Sequence, residues 1–362
     1  MKNIVLAASA LTLANLACAQ SSVTLYGIVD AVYSFGDGSG PGSASRQQLG
    51  SGGNATSRIG FRGTEDLGGG LSAGFWLESQ VFTDTGEGQA SNANNQPVAS
   101  SSAARTSQGL TFGRRSTISL IDKTWGELRI GRDFTAHYRN RVEFDPFGNA
   151  GVGAAQPFAG SIAGVTSTRA SNMVGYFLPA LASGVYGQAQ FYRGDDAQNT
   201  PTARDGRGHS ARLGMKQGDW NVSLAAGRTF YAQTATLGDI RVANVGASYD
   251  FGVARLMAGY YRDKVESARP LRARGVLIAA LVPVGVGEVK VSVSRYGTDA
   301  NLDPETAKLS LGYVHNLSKR TALYATYARV KNDGGARVAL NGALTAPNHG
   351  ASGVDLGLRH SF

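Results

Sequence analysis

Hydrophobic and polar residues alternate one by one through many short segments of this chain. In residues 210–216, Ala211, Leu213 and Met215 fall on one face, and the residues between them are Ser, Arg, Gly and Lys. Residues 288–294 repeat the pattern, with three valines set between Glu, Lys and two serines. A period of two residues is typical of a β-strand with one apolar and one polar face. Helical stretches rich in Leu, Glu and Lys are almost absent, so the pattern predicts an all-β fold.

Two kinds of connection alternate between the predicted strands. Seven are short and turn-like: Asp66–Gly70, Lys123–Gly126, Pro179–Gly184, Gln217–Asp219, Asp250–Gly252, Pro283–Gly287 and Asn316–Arg320. Eight tend to be longer and more polar: 36–57, 83–107, 135–168, 194–208, 231–239, 265–271, 297–306 and 332–352. Short turns at one end and long loops at the other are typical of a transmembrane barrel, whereas a β-sandwich is not expected to sort its loops this way.

No stretch of the chain is suited to cross a membrane as a helix, which needs about 20 consecutive apolar residues. The longest apolar run, Gly275–Gly287, is shorter and is interrupted by Pro283. In lipid, the other structure that satisfies every backbone N–H and C=O is a closed β-barrel. Fifteen connections join sixteen strands, so we predict a transmembrane antiparallel β-barrel of sixteen strands.

The first residues of the chain have a different character. Residues 1–19 carry a lysine near the start, then an apolar stretch, then a small-residue cleavage site, which predicts a secretory signal peptide. Cleavage before Gln20 leaves residues 20–362 as the barrel domain. The only cysteine, Cys18, falls inside the signal peptide, so no disulfide supports the exported protein. An alternative is a lipoprotein acylated at Cys18, although Asn15 stands where an apolar residue is expected.

Seven different short motifs follow one another along the whole predicted barrel. They are residues 22–30 (SVTLYGIVD), 57–68 (SRIGFRGTEDLG), 74–78 (GFWLE), 128–133 (LRIGRD), 144–148 (FDPFG), 323–327 (LYATY) and 357–362 (GLRHSF). Each motif is weak alone, but their order is specific. Together they resemble the general porins of Gram-negative bacteria, in the branch common among beta-proteobacteria. The resemblance implies an outer-membrane channel for small hydrophilic solutes and ions, assembled as a homotrimer. It also implies that the long third loop folds into the lumen and narrows it.

Such a channel needs charged side chains that face the lumen. In the second predicted strand, Arg58 and Arg62 share a face with Gly60, whereas Ile59 and Phe61 take the other face. Because the apolar pair should face lipid, alternation places both guanidinium groups in the channel.

The resemblance adds further charged positions. It implies that Arg114 and Arg169 extend a basic wall, opposite Glu143 and Asp145 of the inner loop. For the fourth strand, alternation alone would turn Arg115 inward instead of Arg114, and both alternatives stay open. A basic wall that faces carboxylates across a narrow gap would create a transverse field that biases ion passage.

The charge balance predicts modest anion selectivity. The formal net charge is +9, and it becomes +8 once the lysine of the signal peptide leaves. Among the positions that alternation or resemblance turns inward, basic residues outnumber acidic ones. The basic set is Arg58, Arg62, Arg114, Arg169, Arg212, Lys216, Arg255, Lys290, Lys308 and Arg359, and the acidic set is Asp30, Glu78, Glu288 and Asp355. External basic residues could instead bridge phosphates of lipopolysaccharide, another partner that this location implies together with outer-membrane lipid.

The C-terminus has a pattern of its own. Val354, Leu356, Leu358, His360 and Phe362 alternate on one face and end on the terminal aromatic residue. This resembles the signal that the barrel assembly machinery reads in outer-membrane proteins. The alternative is an ordinary edge strand of a soluble protein.

Other functional classes lack support in the sequence. The five histidines form no recognisable pair with a nucleophile, so we do not expect an enzyme. A cofactor or metal site is not expected either, because there is no cysteine cluster and Gly68–Gly70 reads as a turn. The arginines are dispersed rather than clustered, which argues against nucleic acid. The strongest alternative is a substrate-specific channel of the same fold, for phosphate, an organic anion or a sugar, lined by aromatics such as Tyr26, Trp76, Tyr186 and Tyr192.

Overall fold

The computed structural model describes residues 22–96, 107–195 and 197–362, and the predicted signal peptide, residues 1–19, lies outside the described residues. The strands are β1 (Ser22–Gly38), β2 (Arg46–Ser51), β3 (Arg58–Gly68), β4 (Leu71–Gln80), β5 (Gly88–Gln89), β6 (Ser107–Gln108), β7 (Arg115–Asp122), β8 (Gly126–Phe134), β9 (Arg169–Phe177), β10 (Val185–Tyr192), β11 (Gly208–Gln217), β12 (Trp220–Thr229), β13 (Asp239–Asp250), β14 (Arg255–Glu266), β15 (Leu271–Val284), β16 (Gly287–Thr298), β17 (Glu305–Asn316), β18 (Thr321–Asp333) and β19 (Ala351–Ser361). All pairings are antiparallel, and β1 pairs with β19 to close a barrel.

The wall of this barrel has sixteen strand positions, as the sequence predicted. β2 and β3 pair with successive halves of β1, so together they fill one position in the wall. β5 and β6 form a separate two-stranded pair within the second long loop. The remaining strands each pair with the next wall strand along the chain.

The outer face of the wall is apolar and the inner face is polar. In β12, Val222 and Leu224 are 43% and 59% exposed on the outer face, whereas Asn221 and Ser223 are buried on the inner face. This distribution is the reverse of that in a soluble barrel, and it suits a wall surrounded by lipid. Among the described residues, no helix is long and apolar enough to cross a membrane.

Short turns close one end of the barrel and longer loops extend from the other, as predicted. β11 and β12 are joined by Gly218 and Asp219 alone, whereas residues 135–168 connect β8 to β9. Several loops are shorter than expected. The connection predicted as 265–271 has only residues 267–270, because β14 and β15 continue past their predicted ends.

The third long loop contains regular structure that the sequence pattern did not reveal. It holds helix α1 (Ala136–Glu143), the short helix α2 (Gln156–Ala159) and a 3-10 turn at Val165–Ser167. Four hydrogen bonds join this loop to the wall strands β13, β19, β16 and β17. They run from Asn140 Nδ2 to Asn244 Oδ1 (2.8 Å), from the Val152 amide to Asp355 Oδ2 (2.7 Å), from the Gln156 amide to Ser294 Oγ (3.0 Å) and from Lys308 Nζ to the Ala154 carbonyl (2.7 Å). Because these wall side chains belong to the inner face, the loop crosses the interior of the barrel.

Glycines on the wall let the loop approach closely. A Cβ added to Gly246 would lie 2.0 Å from the ring of Phe144, and one added to Gly227 would lie 2.7 Å from His137 Nδ1. A glycine in a strand interior packs poorly by itself, and here it provides room for a crossing side chain. The inner loop, residues 135–168, is therefore seated against the wall by shape as well as by hydrogen bonds.

Candidate pore constriction

A cavity of about 590 Å³ lies between the inner loop and the wall. The charged side chains that line it are Arg58, Glu78, Arg114, Arg139, Glu143, Asp145, Arg212 and Arg255. Five are guanidinium groups and three are carboxyl groups, so basic residues outnumber acidic ones around this cavity.

On the wall side, two of the predicted arginines surround one carboxylate. Arg114 Nε lies 2.6 Å from Glu78 Oε1, and Arg58 Nε lies 3.5 Å from Glu78 Oε2. The Tyr26 hydroxyl also donates to Glu78 Oε2, at 2.8 Å. Glu78 offsets one of the two positive charges and holds both arginines in place, so this part of the wall is a basic cluster around a buried acid.

The structure places both Arg114 and Arg115, the two alternatives for the fourth strand, on the interior side of the wall. Arg114 precedes β7, and its amide donates to the Glu78 carbonyl at 3.1 Å. Arg115 begins β7, where alternation turns it inward with its guanidinium 4.2 Å from the centre of the Trp76 ring. Arg114 is outside the strand, so the period of two residues does not apply to it.

Arg62 lies closer to the short-turn end of the barrel than Arg58. Four residues of extended strand separate the two, which corresponds to about 13 Å. Arg62 lines a second cavity of about 360 Å³ together with Trp76 and Arg115. Its guanidinium carbon is 5.2 Å from the ring centres of both Tyr26 and Trp76. Arg58 and Arg62 therefore occupy different levels of the barrel interior.

Arg169 is not among the residues that line the 590 Å³ cavity; it packs against the ring of Phe134, which does line it. Its guanidinium carbon is 4.3 Å from the centre of the Phe134 ring, which also has Arg114 at 5.9 Å and Arg139 at 5.5 Å. A ring face attracts cations through its quadrupole. Phe134 thereby helps to hold three positive charges close together at the base of the inner loop.

The two predicted acids of the inner loop have different environments. The Glu143 side chain is 46% exposed in the cavity, where Oε1 accepts from Asn221 Nδ2 at 3.1 Å and Oε2 lies 3.8 Å from Arg212. Asp145 is buried and accepts from the Phe147 amide at 2.9 Å, so its carboxylate shapes the loop. Burial raises the pKa of Asp145.

Sequence reasoning did not single out Arg139. It lies on α1 four residues before Glu143, and this spacing places both side chains on one face of a helix. That signal could have been read only if the helix had been expected. Arg212 and Arg255 were expected to face inward, but nothing in the pattern placed them at the level of the loop.

A buried ion pair holds the centre of the inner loop. Arg141 is 1% exposed and forms an ion pair with Asp263 on the inner face of β14. Its Nη1 also donates to the Pro157 carbonyl at 3.1 Å and to Ser161 Oγ at 3.0 Å. A buried guanidinium needs such partners because its desolvation is costly. These bonds tie α1, the later part of the loop and the wall together.

The burial of His137 predicts that the stability of the inner loop depends on pH. Its Nε2 donates to the Thr166 carbonyl at 3.1 Å, and burial, with Arg141 nearby, lowers the pKa of His137 to about 3. The side chain of His137 titrates near 6.5 in the unfolded chain. The contribution of the neutral, buried imidazole to folding stability is therefore complete above pH 6.5 and is lost as the pH falls towards 3. Each unit of pKa difference corresponds to about 1.4 kcal/mol.

Acidification from pH 7 to pH 4 should therefore lower the thermal unfolding temperature by several degrees more in the unsubstituted protein than in His137→Gln. Gln can keep the hydrogen bond to Thr166 without taking up a proton. His209→Asn on the outer surface is the control and should behave as the unsubstituted protein. Equal acid sensitivity of His137→Gln and the unsubstituted protein would contradict this expectation.

Comparisons with known proteins agree on one family. A family model described as Gram-negative porin matches residues 5–335. Outer membrane porin protein 32 of Delftia acidovorans is 36% identical over 376 residues, and an outer membrane porin protein of Bordetella pertussis is 29% identical over 415 residues. Both alignments cover 100% of each chain.

Solved structures give the same result. The anion-selective porin from Comamonas acidovorans superposes with a TM-score of 0.81 at 34% identity, covering 95% of this chain and 100% of that one. OmpF of Salmonella typhi superposes with a TM-score of 0.64 at 15% identity, covering 94% and 97% of the two chains, which shows a shared fold.

Proposed function

Because this chain belongs to the Gram-negative porins and resides in the outer membrane, we propose that it is a general diffusion channel with a modest preference for anions. Small hydrophilic solutes and ions would pass between the wall and the inner loop. The observation that carries the proposal is the excess of guanidinium over carboxyl groups around the 590 Å³ cavity. Fixed positive charges in a narrow passage between low-dielectric walls lower the barrier for anions.

We assign the constriction to residues on both sides of this cavity. Of the predicted set, Arg58, Arg114 and Glu143 line it, and Asp145 supports the loop beside them. Arg62 would extend the basic path towards the short-turn end, and Arg169 would add positive potential from behind Phe134. Arg139, Arg212 and Arg255 complete the constriction. The 34% identical relative described as anion-selective supports the same sign of selectivity.

Planar bilayers test this proposal. With a tenfold KCl gradient across the bilayer, the reversal potential of the purified protein should have the sign of chloride preference, with a permeability ratio of a few-fold. Conductance should rise in proportion to salt concentration. A reversal potential that indicates cation preference would refute the proposed selectivity, and absence of conductance would refute the channel.

A substrate-specific channel of the same fold is the second candidate. The observation that favours it is the 360 Å³ cavity, where Arg62 and Arg115 lie against Trp76 in an arrangement suited to a planar anion. The same recordings distinguish the two functions. Saturable block of the KCl current by millimolar phosphate, an organic anion or a sugar would indicate a binding site, whereas an unchanged linear conductance supports the general pore.

The partners follow from the same assignment. We propose a homotrimer in contact with outer-membrane lipid and lipopolysaccharide, inserted by the barrel assembly machinery through a signal that ends in Phe362. In support, the Phe362 backbone pairs with Gly27 in both directions at 3.1 Å, so the last residue helps to close the barrel. Relatives of this chain are porins, which are channels, and we expect neither enzymatic activity nor a cofactor or metal.

A further inference from the structure

The outer surface of β11–β15 carries cations close to the long loops. In the register of β12 to β15, Arg228 lies opposite Arg241, Arg241 opposite Lys264, and Lys264 opposite Arg272. The side chains of these four residues, here called the outer cationic row, are 34% to 63% exposed. Like charges directly opposite one another in an antiparallel pair destabilise it. The row therefore favours an anion beside it.

Two residues further from the loops, the surface becomes concave. Ala211, Ala226 and Ala243 lie side by side in register on β11, β12 and β13, and the same level continues with Arg262 opposite Arg274. These small and basic side chains line a hollow of about 520 Å³, which the outer cationic row borders. We call it the alanine hollow.

The next level towards the middle of the barrel is entirely apolar. It consists, in register, of Leu213, Leu224, Val245, Tyr260 and Val276, each 40% to 59% exposed. From the loops towards the centre, the surface thus changes from cations to a hollow with arginines and then to an apolar band. An amphiphile with an anionic head and acyl chains has the matching order.

Acidic residues neutralise this surface only in part. Glu266 lies 2.7 Å from Lys264 and 3.1 Å from Arg241, and Asp239 and Asp299 contact the two ends of the outer cationic row. Within the part of the chain that the structure describes, Arg262 and Arg274 form no ion pair. Six cations around the hollow thus exceed three carboxylates, and the two unpaired arginines face each other across neighbouring strands.

We propose that the alanine hollow binds the phosphorylated sugar headgroup of lipopolysaccharide. Guanidinium groups recognise phosphate through charge-assisted, often bidentate hydrogen bonds, so Arg262 and Arg274 hold a phosphate while the acyl chains lie along the apolar band. The long loops of a transmembrane barrel face the outside, which places the hollow in the outer leaflet, where lipopolysaccharide resides. The inference gives a site to the lipopolysaccharide contact proposed above.

Binding of lipid A to the full-length protein in detergent tests the site. Native mass spectrometry of delipidated protein should show saturable binding of diphosphorylated lipid A. The double substitution Arg262→Gln and Arg274→Gln should weaken that binding at least tenfold. The matched control, Arg329→Gln with Lys331→Gln, removes two exposed cations at the same end of β18 and should change it less than twofold.

Different probes identify the occupant. Dephosphorylated lipid A, phosphatidylglycerol and inorganic phosphate should each bind at least tenfold more weakly than diphosphorylated lipid A. Equal affinity of any of them, or equal losses in the two double variants, would overturn the proposal. Loss of oligomers in the Arg262 and Arg274 variant with unchanged lipid binding would assign the surface to a second copy of the chain, and would also overturn it. The reversal potential is measured separately, so failure here leaves the proposed channel function intact.

Discussion

Replacing Arg58 and Arg255 together with Glu should convert the channel from anion-selective to cation-selective. Both side chains line the 590 Å³ cavity, on β3 and at the start of β14. With every group ionised, the formal charge around the cavity changes from two positive to two negative. The sign of the fixed charge around the cavity therefore reverses.

The reversal potential under a KCl gradient should accordingly change sign. The control is Arg58→Lys with Arg255→Lys, which keeps both charges and should stay anion-selective, while the altered geometry affects conductance by less than twofold. Anion preference in the Glu variant would mean that charges at another level of the channel, such as those around Arg62, set its selectivity. Folding is checked by heat-modifiable migration on a denaturing gel, because the folded and the heat-denatured forms migrate differently.

The barrel was predictable because its strands obey a local rule. A strand in this wall has lipid on one side and polar groups on the other, so apolar and polar residues alternate along its sequence. Glycine- and polar-rich connections then gave the number of strands without any tertiary information. The errors lie where strands end, as at residues 267–270, since strand length depends on pairing with a neighbour.

The proposed constriction was less predictable because it is assembled from distant parts of the chain. Alternation predicted that Arg58 faces inward, but it could not give the level of Arg62 or orient Arg114, which lies just outside a strand. The path of the inner loop depends on contacts with wall residues such as Asn244 and Asp355, more than 100 positions later in the sequence. No local pattern encodes those contacts, so Arg139 was missed.

Removing the buried guanidinium of Arg141 should free the inner loop and widen the channel. Arg141→Met leaves the carboxylate of Asp263 buried without its ion-pair partner, and loss of one partner from a buried pair typically costs about 3–5 kcal/mol. The barrel hydrogen bonds do not depend on Arg141, so the wall should persist while the loop detaches. Single-channel recordings should show larger conductance and frequent current fluctuations, and larger solutes should enter proteoliposomes.

A double variant separates loss of the loop anchor from general damage. Adding Asp263→Asn to Arg141→Met removes the stranded charge, and the amide can still hydrogen-bond the Tyr296 hydroxyl and Ser161 Oγ, which now contact the carboxylate at 2.8 and 2.9 Å. The double variant should therefore show at most half of the additional current fluctuations seen in Arg141→Met. If Arg141→Met behaves as the unsubstituted protein, the other wall contacts suffice to hold the loop. If the double variant is as noisy as Arg141→Met, the hydrogen bonds of Arg141 to the loop, rather than compensation of Asp263, are what fix the constriction.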